Sequence, residues 1–107
     1  MLPLTSKRIA VRVFVAPDAS CGHGATWRAA SALVLERLQR RFGPAVAGER
    51  VEVFSPRSFE FPETMAAIEA GARLPVVTVD GQIVSEGGKL SERVIRQAVE
   101  ARLGDAR

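Results

Sequence analysis

The sequence predicts an α/β domain in which helices cover both faces of a four-stranded mixed sheet, with the element order β-α-β-α-β-β-α. Three observations predict this class. Segments in which apolar residues alternate are interleaved with segments of helical period. The first alternating segment is apolar on both faces, which is typical of a central strand in a sheet covered on both sides. An Asp-Gly pair between the last two alternating segments is typical of a two-residue hairpin.

Length and composition fit one globular domain. The chain has 107 residues, of which 47% are hydrophobic and 25% charged. We expect a single domain over 1–107 with its core at about 8–103. The apolar content excludes a disordered chain. No apolar run reaches the ~18 residues of a membrane span, so no membrane partner is expected. The single cysteine excludes an internal disulfide and a zinc site built from several thiolates.

The distribution of charge gives two further expectations. The net charge is +3, and no basic patch is interleaved with stacking aromatics, so no nucleic-acid partner is expected. Lys7 and Arg8 follow the first apolar residues, and Arg12 and Asp18 interrupt the next apolar run. A secretory signal instead has its charge first and then an unbroken apolar stretch. We therefore expect a cytoplasmic protein, in which a lone thiol stays reduced.

The first strand and the first helix carry the strongest patterns. Residues 8–16 alternate with period two, and Pro17 ends this strand. Over 25–42 the period becomes helical. The apolar stripe of this helix consists of Trp27, Ala30, Ser31, Val34, Leu35, Leu38 and Phe42. Gly43 and Pro44 then predict its end, because glycine suits the left-handed cap and proline cannot continue the helix.

A shorter strand and helix follow in the middle of the chain. Residues 50–54 alternate and predict a strand. Phe59 and Phe61 lie in the loop after it, and we expect one of them to be exposed as part of a binding lip. A helix is predicted over 62–70, which starts with a proline that suits a first turn. Its inward residues are Met65 and Ile68.

The last third of the sequence predicts a hairpin and a helix. Strands at 74–79 and 82–85 are joined by Asp80-Gly81, and the hairpin makes them antiparallel. A last helix is predicted over 92–103. Its cap is Ser91, its inward residues are Val94, Ile95, Ala98, Val99 and Leu103, and its stop is Gly104.

The segment most suited to chemistry is Cys21-Gly22-His23-Gly24, between the central strand and a helix N-terminus. Free backbone N–H groups and the positive end of the helix dipole favour an anion there. A thiolate in that place has a lowered pKa and serves as a nucleophile or a soft-metal ligand. His23 adds a cation or a hydrogen-bond donor, and the glycines leave space for a partner. An inert, small hydrophobic role for Cys21 stays open as the alternative.

This segment and the element order resemble the thioredoxin-like superfamily, which includes the glutaredoxins, over about 8–103. In that superfamily a Cys-x-x-Cys or Cys-x-x-Ser motif follows the first core strand, and Cys21 matches its first cysteine. Pro75 matches the position of a cis-proline that lies opposite the thiol. Gly87-Gly88 is similar to the glycine pair that glutaredoxins carry after the hairpin.

The resemblance implies a thioredoxin-like fold and a small monothiol protein that acts in thiol–disulfide exchange through Cys21. The implied partners are protein or low-molecular-weight thiols and disulfides. The catalytic roles fall on Cys21, His23 and Pro75. The substrate-binding roles fall on Gly22, Gly24, Leu74, Gly87 and Gly88. No residue is assigned to a metal.

The chain departs from the family pattern in ways that limit its chemistry. Gly24 stands where dithiol relatives have a second cysteine, so an external thiol must resolve the mixed disulfide. Lys89 and Leu90 replace glutathione-contacting residues, so no cofactor is expected, with glutathione or a 2Fe–2S cluster as the alternatives. A carrier of Fe–S or soft metal through Cys21 in a dimer, and a non-catalytic binding module, also stay open. We expect a monomer or a weak homodimer.

Overall fold

The computed structural model describes residues 8–16, 23–88 and 90–105, and within these ranges the side chains of all but 23–28 and 105. The strands are β1 (Ile9–Val15), β2 (Val46–Glu52), β3 (Val76–Val79) and β4 (Gln82–Glu86). The helices are α1 (His23–Phe42), α2 (Pro62–Glu69) and α3 (Glu92–Asp105). Short 3-10 turns occupy Gly43–Ala45 and Ser58–Glu60. The order β-α-β-α-β-β-α is the predicted one.

The four strands form one mixed sheet in the order β2-β1-β3-β4. β1 runs parallel to β2, with Val15 opposite Glu52, and antiparallel to β3, with Phe14 opposite Val76. β3 and β4 are antiparallel neighbours, with a register shift after Val77. β1 is therefore an inner strand, as its two apolar faces predict.

Each face of the sheet has its own apolar core. The core on the α1 and α3 face contains Ile9, Val11, Val13, Val15, Val34, Leu38, Val46, Val77, Val79, Ile95 and Val99, with Leu35, Phe42, Ala98 and Leu103 packed against it. The core on the α2 face contains Phe14, Val51, Val53, Met65 and Val76, with Phe61 and Ile68 packed against it. Helices cover both faces, which confirms the predicted layers.

The second strand differs from its prediction at both ends. β2 covers Val46–Glu52 rather than 50–54. Its pairing with β1 begins where Ile9 lies opposite Val46, in a stretch with little apolar alternation. Hydrogen bonding to the central strand thus extends β2 beyond the part that periodicity indicates. Phe54 lies outside the strand because its φ of 64° is left-handed, and such backbone does not continue a ladder.

The last helix also departs from the prediction. α3 continues through Gly104 instead of ending at it. Val94, predicted to point inward, is 40% exposed, whereas Ile95 and Val99 are fully buried. One residue step rotates a helix by about 100°, so Val94 faces away when Ile95 faces the sheet. The predicted cap is confirmed, since the Ser91 Oγ accepts a hydrogen bond of 3.3 Å from the Val94 backbone N–H.

The hairpin and the helix ends follow the predicted turn chemistry. Asp80 and Gly81 have φ values of 51° and 85°, so both central residues of the turn are left-handed, as a type I′ hairpin requires. Gly43 has the predicted left-handed cap with a φ of 59°. β3 starts at Val76, two residues later than predicted. Pro17 and the side chain of Trp27 lie outside the described residues. Among the helices described, none combines the length and the apolar character of a membrane span.

Candidate functional site

The carboxyl end of β1 defines the sheet edge at which the predicted site residues lie. β3 is antiparallel to β1 with Phe14 opposite Val76, so Pro75, one position before Val76, stands at this edge. α1 ends next to the start of β2, at the opposite sheet edge. Because α1 runs back along the sheet between two parallel strands, its first residue His23 lies toward the edge where β1 ends.

Two of the predicted site residues lie outside the described part of the chain. Cys21 and Gly22 are not described, and in the sequence they come directly before His23, the first residue of α1. His23 and Gly24 form the start of α1, and the His23 side chain is not described. Their catalytic and binding roles stay predictions. The first turn of α1 contains no acidic residue, so no carboxylate within that turn offsets the positive end of this helix.

The structure brings the second group of predicted residues together. The Leu74–Pro75 peptide bond is cis, the isomer that the resemblance implies. Pro75 is buried, and Leu74 is half-buried against the core of the α2 face. The Gly87 N–H donates to the carbonyl oxygens of Arg73 (2.8 Å) and Pro75 (3.0 Å). The loop after β4 is therefore bonded to the segment that enters β3.

Two features favour glycine at position 87. Its φ is 65°, in the left-handed region, and a Cβ there would come within 3.0 Å of the Arg73 Cβ. Gly88 is also left-handed, with a φ of 61°, but a Cβ there would meet nothing within 4 Å. The two glycines shape the backbone beside Pro75, and Gly88 leaves its surface open. Lys89 lies outside the described residues.

Phe54 lies at the same sheet edge, and sequence reasoning missed it. The Val53 N–H donates to the carbonyl oxygen of Val15 (2.9 Å), and because Val15 lies opposite Glu52, Phe54 is two positions beyond the end of β1. The Phe54 side chain is 60% exposed. The alternation of 50–54 assigned this phenylalanine to a strand. The signal for a turn was the Ser55-Pro56 pair after it.

Hydrogen bonds hold the turn that follows Phe54. The Ser55 hydroxyl donates to the carbonyl oxygen of Glu52 (2.6 Å), and the Ser58 hydroxyl donates to the carbonyl oxygen of Ser55 (2.7 Å). The backbone N–H groups of Ser55 and Ser58 donate to the same two carbonyl oxygens, at 3.3 and 3.0 Å. Ser58 is fully buried. The two serines therefore fix the backbone on the C-terminal side of Phe54.

Farther from this edge, a charged and aromatic cluster lies on the α2 face of β1 and β2. The Arg12 and Arg57 guanidinium carbons lie 4.3 and 4.9 Å from the Phe61 ring centroid, and Phe61 meets Phe14 edge-on with centroids 5.7 Å apart. Glu49 accepts hydrogen bonds from both arginines. The cluster joins the connection between β2 and α2 to the sheet, so its role is structural.

The charges of this cluster are matched within it. The hydrogen bond from Arg57 is the largest cause that lowers the pKa of the Glu49 carboxyl, and the charges of Arg57 and Arg12 add to it. The hydrogen bond to Glu49 raises the pKa of Arg57. Arg57 also pairs with Glu60 at 2.6 Å. Glu49 is therefore a permanent anion near neutral pH and is unsuited to general acid–base catalysis.

Phe59 and Phe61 behave differently although they lie two residues apart. Phe61 packs in the cluster, whereas Phe59 is 59% exposed, which confirms that one of the pair is exposed. A shallow pocket of about 270 Å³ lies next to this segment. It is lined by Glu60, Phe61, Pro62, Glu63, Thr64 and Gly81. Because Gly81 follows the far end of β3, this pocket lies at the sheet edge opposite Pro75.

Within the described ranges, no group of three or more His, Cys, Asp or Glu side chains is arranged to hold a metal ion. Comparison with known proteins gives no matching family model and no matching curated protein. The crystal structure of a protein of unknown function from Staphylococcus aureus is similar, with a TM-score of 0.55 and 20% sequence identity over 91% of this chain and 93% of that one. At this identity the likeness shows the fold alone, an α/β fold with a four-stranded mixed sheet.

Proposed function

We propose that this protein has a thioredoxin-like fold and acts as a monothiol in thiol–disulfide exchange through Cys21. One observation carries the proposal. The end of β1, the residues around Pro75 and the loop of Gly87 share one sheet edge, and α1 begins toward that edge. The sequence leads from Val15 through Cys21 into α1, so the only thiol of the chain lies in the connection between these elements.

The electrostatics of α1 support a reactive thiol. The helix is 20 residues long and has no acidic residue in its first turn. The dipole of such a helix favours a negative charge near its N-terminus. Cys21 precedes the helix by two positions in the sequence, so we expect the helix to stabilise its thiolate. His23, the first helical residue, adds a donor or a cation.

The exchange proceeds in two steps. The Cys21 thiolate attacks one sulfur of a disulfide, a new S–S bond forms to Cys21, and the other sulfur leaves as a thiolate. The thiolate of an external low-molecular-weight thiol then attacks the mixed disulfide on the partner sulfur. Cys21 is released as a thiolate, and the external thiol stays joined to the partner. Thiols and disulfides are conserved in number, and no internal disulfide is needed.

The other residues of the proposed site have separate roles in the exchange. Gly22 and Gly24 have no side chains that would compete with a partner of Cys21 for space. The half-buried Leu74 and the loop of Gly87-Gly88 form the wall along which the disulfide-bearing chain lies. Pro75 is buried, and its carbonyl oxygen accepts a hydrogen bond from the Gly87 N–H, so its role is to position this wall. A reducing compartment such as the cytoplasm keeps Cys21 available for exchange.

Alkylation kinetics test the proposal directly, because the chain has one cysteine. The rate of iodoacetamide alkylation as a function of pH gives the pKa of the Cys21 thiol, with Cys21→Ser as the blank. We expect a pKa below the ordinary value of about 8.5. We expect His23→Gln to raise the pKa toward that value. A wild-type pKa at or above about 8.5 would contradict thiolate activation.

Two further experiments test the alternative functions, a cluster carrier and a binding module. Anaerobic reconstitution with iron and sulfide that gives a coloured dimer would favour a cluster carrier, whereas a colourless protein is expected from the exchange mechanism. A partner that binds equally well to wild type and Cys21→Ala would favour a binding module. In that case the same sheet edge binds the partner without chemistry at the sulfur.

A further inference from the structure

Phe54 is a large apolar side chain held outward at the sheet edge of the proposed site. It is 60% exposed. The preceding residue, Val53, donates its N–H to the Val15 carbonyl oxygen (2.9 Å), and this hydrogen bond places Phe54 just beyond the end of β1. Contact with an apolar group of a ligand would remove much of its exposed surface from water, which is favourable.

The backbone at Phe54 is fixed in an unfavourable conformation. Its φ of 64° lies in the left-handed region, which is unusual for a bulky residue without a side chain that bonds its own backbone. The preceding residue is bonded to β1, and the following turn is held by the Ser55 and Ser58 hydroxyls. The surrounding hydrogen bonds therefore impose this direction on Phe54, and a backbone held in this way is a reason to look for function.

The charges nearest to Phe54 in the chain are already paired. Glu52 lies 3.8 Å from Arg50, and Arg57 is bonded to both Glu49 and Glu60. On the other side of β1, the half-buried Leu74, which precedes the buried Pro75, offers apolar atoms to the same edge. A ligand that meets this edge therefore gains more from an apolar side chain than from a charge.

The width of the edge indicates the size of the ligand. Phe54 follows β2 and Pro75 precedes β3, and β1 lies between these two strands. Neighbouring strands are about 4.8 Å apart, so the two residues are separated by roughly 10 Å across the sheet. Three residues of extended polypeptide cover that distance. A polypeptide of this length also places a side chain next to its cysteine, which a thiol such as mercaptoethanol does not.

We propose that Phe54 determines substrate specificity by contacting an apolar side chain next to the reacting cysteine of a polypeptide disulfide. This inference rests on the thiol–disulfide exchange proposed above. The substrate class is then a peptide or protein disulfide with an apolar flanking residue, and the half-buried Leu74 and the exposed Phe54 contact the segment from the two sides of β1.

Three probes with one leaving group test this proposal. Each is a mixed disulfide with thionitrobenzoate: a peptide with Phe next to its cysteine, the same peptide with Ser there, and mercaptoethanol. Cys21 attacks the peptide or mercaptoethanol sulfur and releases coloured thionitrobenzoate. We expect Phe54→Gly and Phe54→Asn, both suited to left-handed backbone, to slow the reaction of the Phe peptide roughly fivefold. The other two rates should change less than twofold.

Phe59→Ser is the matched control. Phe59 is 59% exposed, but it lies between Arg57, which is bonded to the middle of β2, and Glu60, which lines the pocket at the opposite edge. All three rates should be unchanged in this variant. Equal effects of both Phe54 variants on all three probes, or no effect on any, would overturn the role of Phe54. No reaction of wild type with the mercaptoethanol probe would instead refute the exchange function itself and the inference with it.

Discussion

Arg57 and Glu49 form a two-point ion pair that joins the loop before α2 to the second strand of the sheet. The Arg57 Nε lies 2.6 Å from the Glu49 Oε2, and the Arg57 Nη2 lies 2.9 Å from the Glu49 Oε1. Arg12, on the central strand, donates to the Glu49 Oε1 as well, at 3.3 Å. Fork-to-fork pairs of this kind fix orientation as well as distance. The pair therefore sets the path of the connection that begins at Phe54.

Replacing Glu49 should destabilise the fold more than replacing an exposed glutamate. Glu49→Gln removes the charge and one acceptor shared by two arginines, and we expect the free energy of unfolding to fall by about 1 kcal/mol. Urea unfolding followed by circular dichroism measures it. Glu36→Gln is the control, because Glu36 pairs with Arg40 at 3.4 Å on an exposed helix face. Equal losses of stability in the two variants would show that the Glu49 pair contributes no more to the fold than the exposed Glu36 pair.

The same carboxylate should make stability depend on pH. The pKa of Glu49 is lower in the folded protein than its ordinary value of 4.5, chiefly because of the hydrogen bond from Arg57. The contribution of this group is therefore complete above 4.5 and is lost as pH falls through the lowered folded pKa. The free energy of unfolding of wild type and of Glu49→Gln is measured between neutral pH and about pH 3. We expect the difference between the two free energies to shrink as the pH falls below 4.5. A constant difference would contradict this.

Asp80 has two separable roles in the hairpin. Its φ of 51° is left-handed, and its Oδ1 accepts a hydrogen bond of 2.9 Å from the Ala10 N–H. Asp80→Asn keeps both features and should be near neutral. Asp80→Gly keeps the left-handed backbone but loses the acceptor, so we expect the free energy of unfolding to fall by about 1 kcal/mol. Asp80→Ala loses the acceptor and disfavours the left-handed backbone, so we expect a fall of about 2 kcal/mol. Thermal or urea unfolding gives the order, and an alanine variant as stable as the asparagine variant would refute it.

The cap of α3 gives a prediction for a single hydroxyl. Ser91→Ala removes the acceptor for the Val94 N–H and should lower the free energy of unfolding by about 1 kcal/mol. Ser91→Asp retains a capping oxygen and places a negative charge at the helix N-terminus, so it should keep the wild-type stability. Calorimetry on the three proteins measures both effects. Loss of stability in the aspartate variant would show that the cap is not the cause.

Phe54→Gly should leave stability close to that of wild type. Glycine removes the left-handed penalty at this residue, which is about 1–2 kcal/mol, but adds about 1 kcal/mol of unfolded-state entropy. The two terms nearly cancel, and the exposed ring contributes little to the core. Urea unfolding checks this expectation. A large loss would show that the Phe54 ring stabilises the fold, which would weaken its role as a substrate contact.

The sequence predicted the arrangement of elements well where short-range rules decide it. The alternation of apolar residues predicted β1, the helical period of apolar residues predicted α1, and the Asp80-Gly81 pair predicted the hairpin. Prediction was wrong for β2 and for Val94. The extent of β2 depends on pairing with β1, and the side of α3 that is buried depends on where the sheet lies. Neither quantity is contained in a local pattern.

For the candidate site, the sequence supplied the residues and the tertiary structure supplied their placement. A lone cysteine before a long helix, a proline before a strand and a glycine pair after a hairpin can all be found in the sequence. That Gly87 bonds to Pro75, and that the exposed Phe54 follows a residue bonded to Val15, depends on contacts between residues far apart in the chain. Local sequence fixes backbone preference because that preference acts over a few residues. Packing and hydrogen bonding between distant strands choose which side chains share an edge.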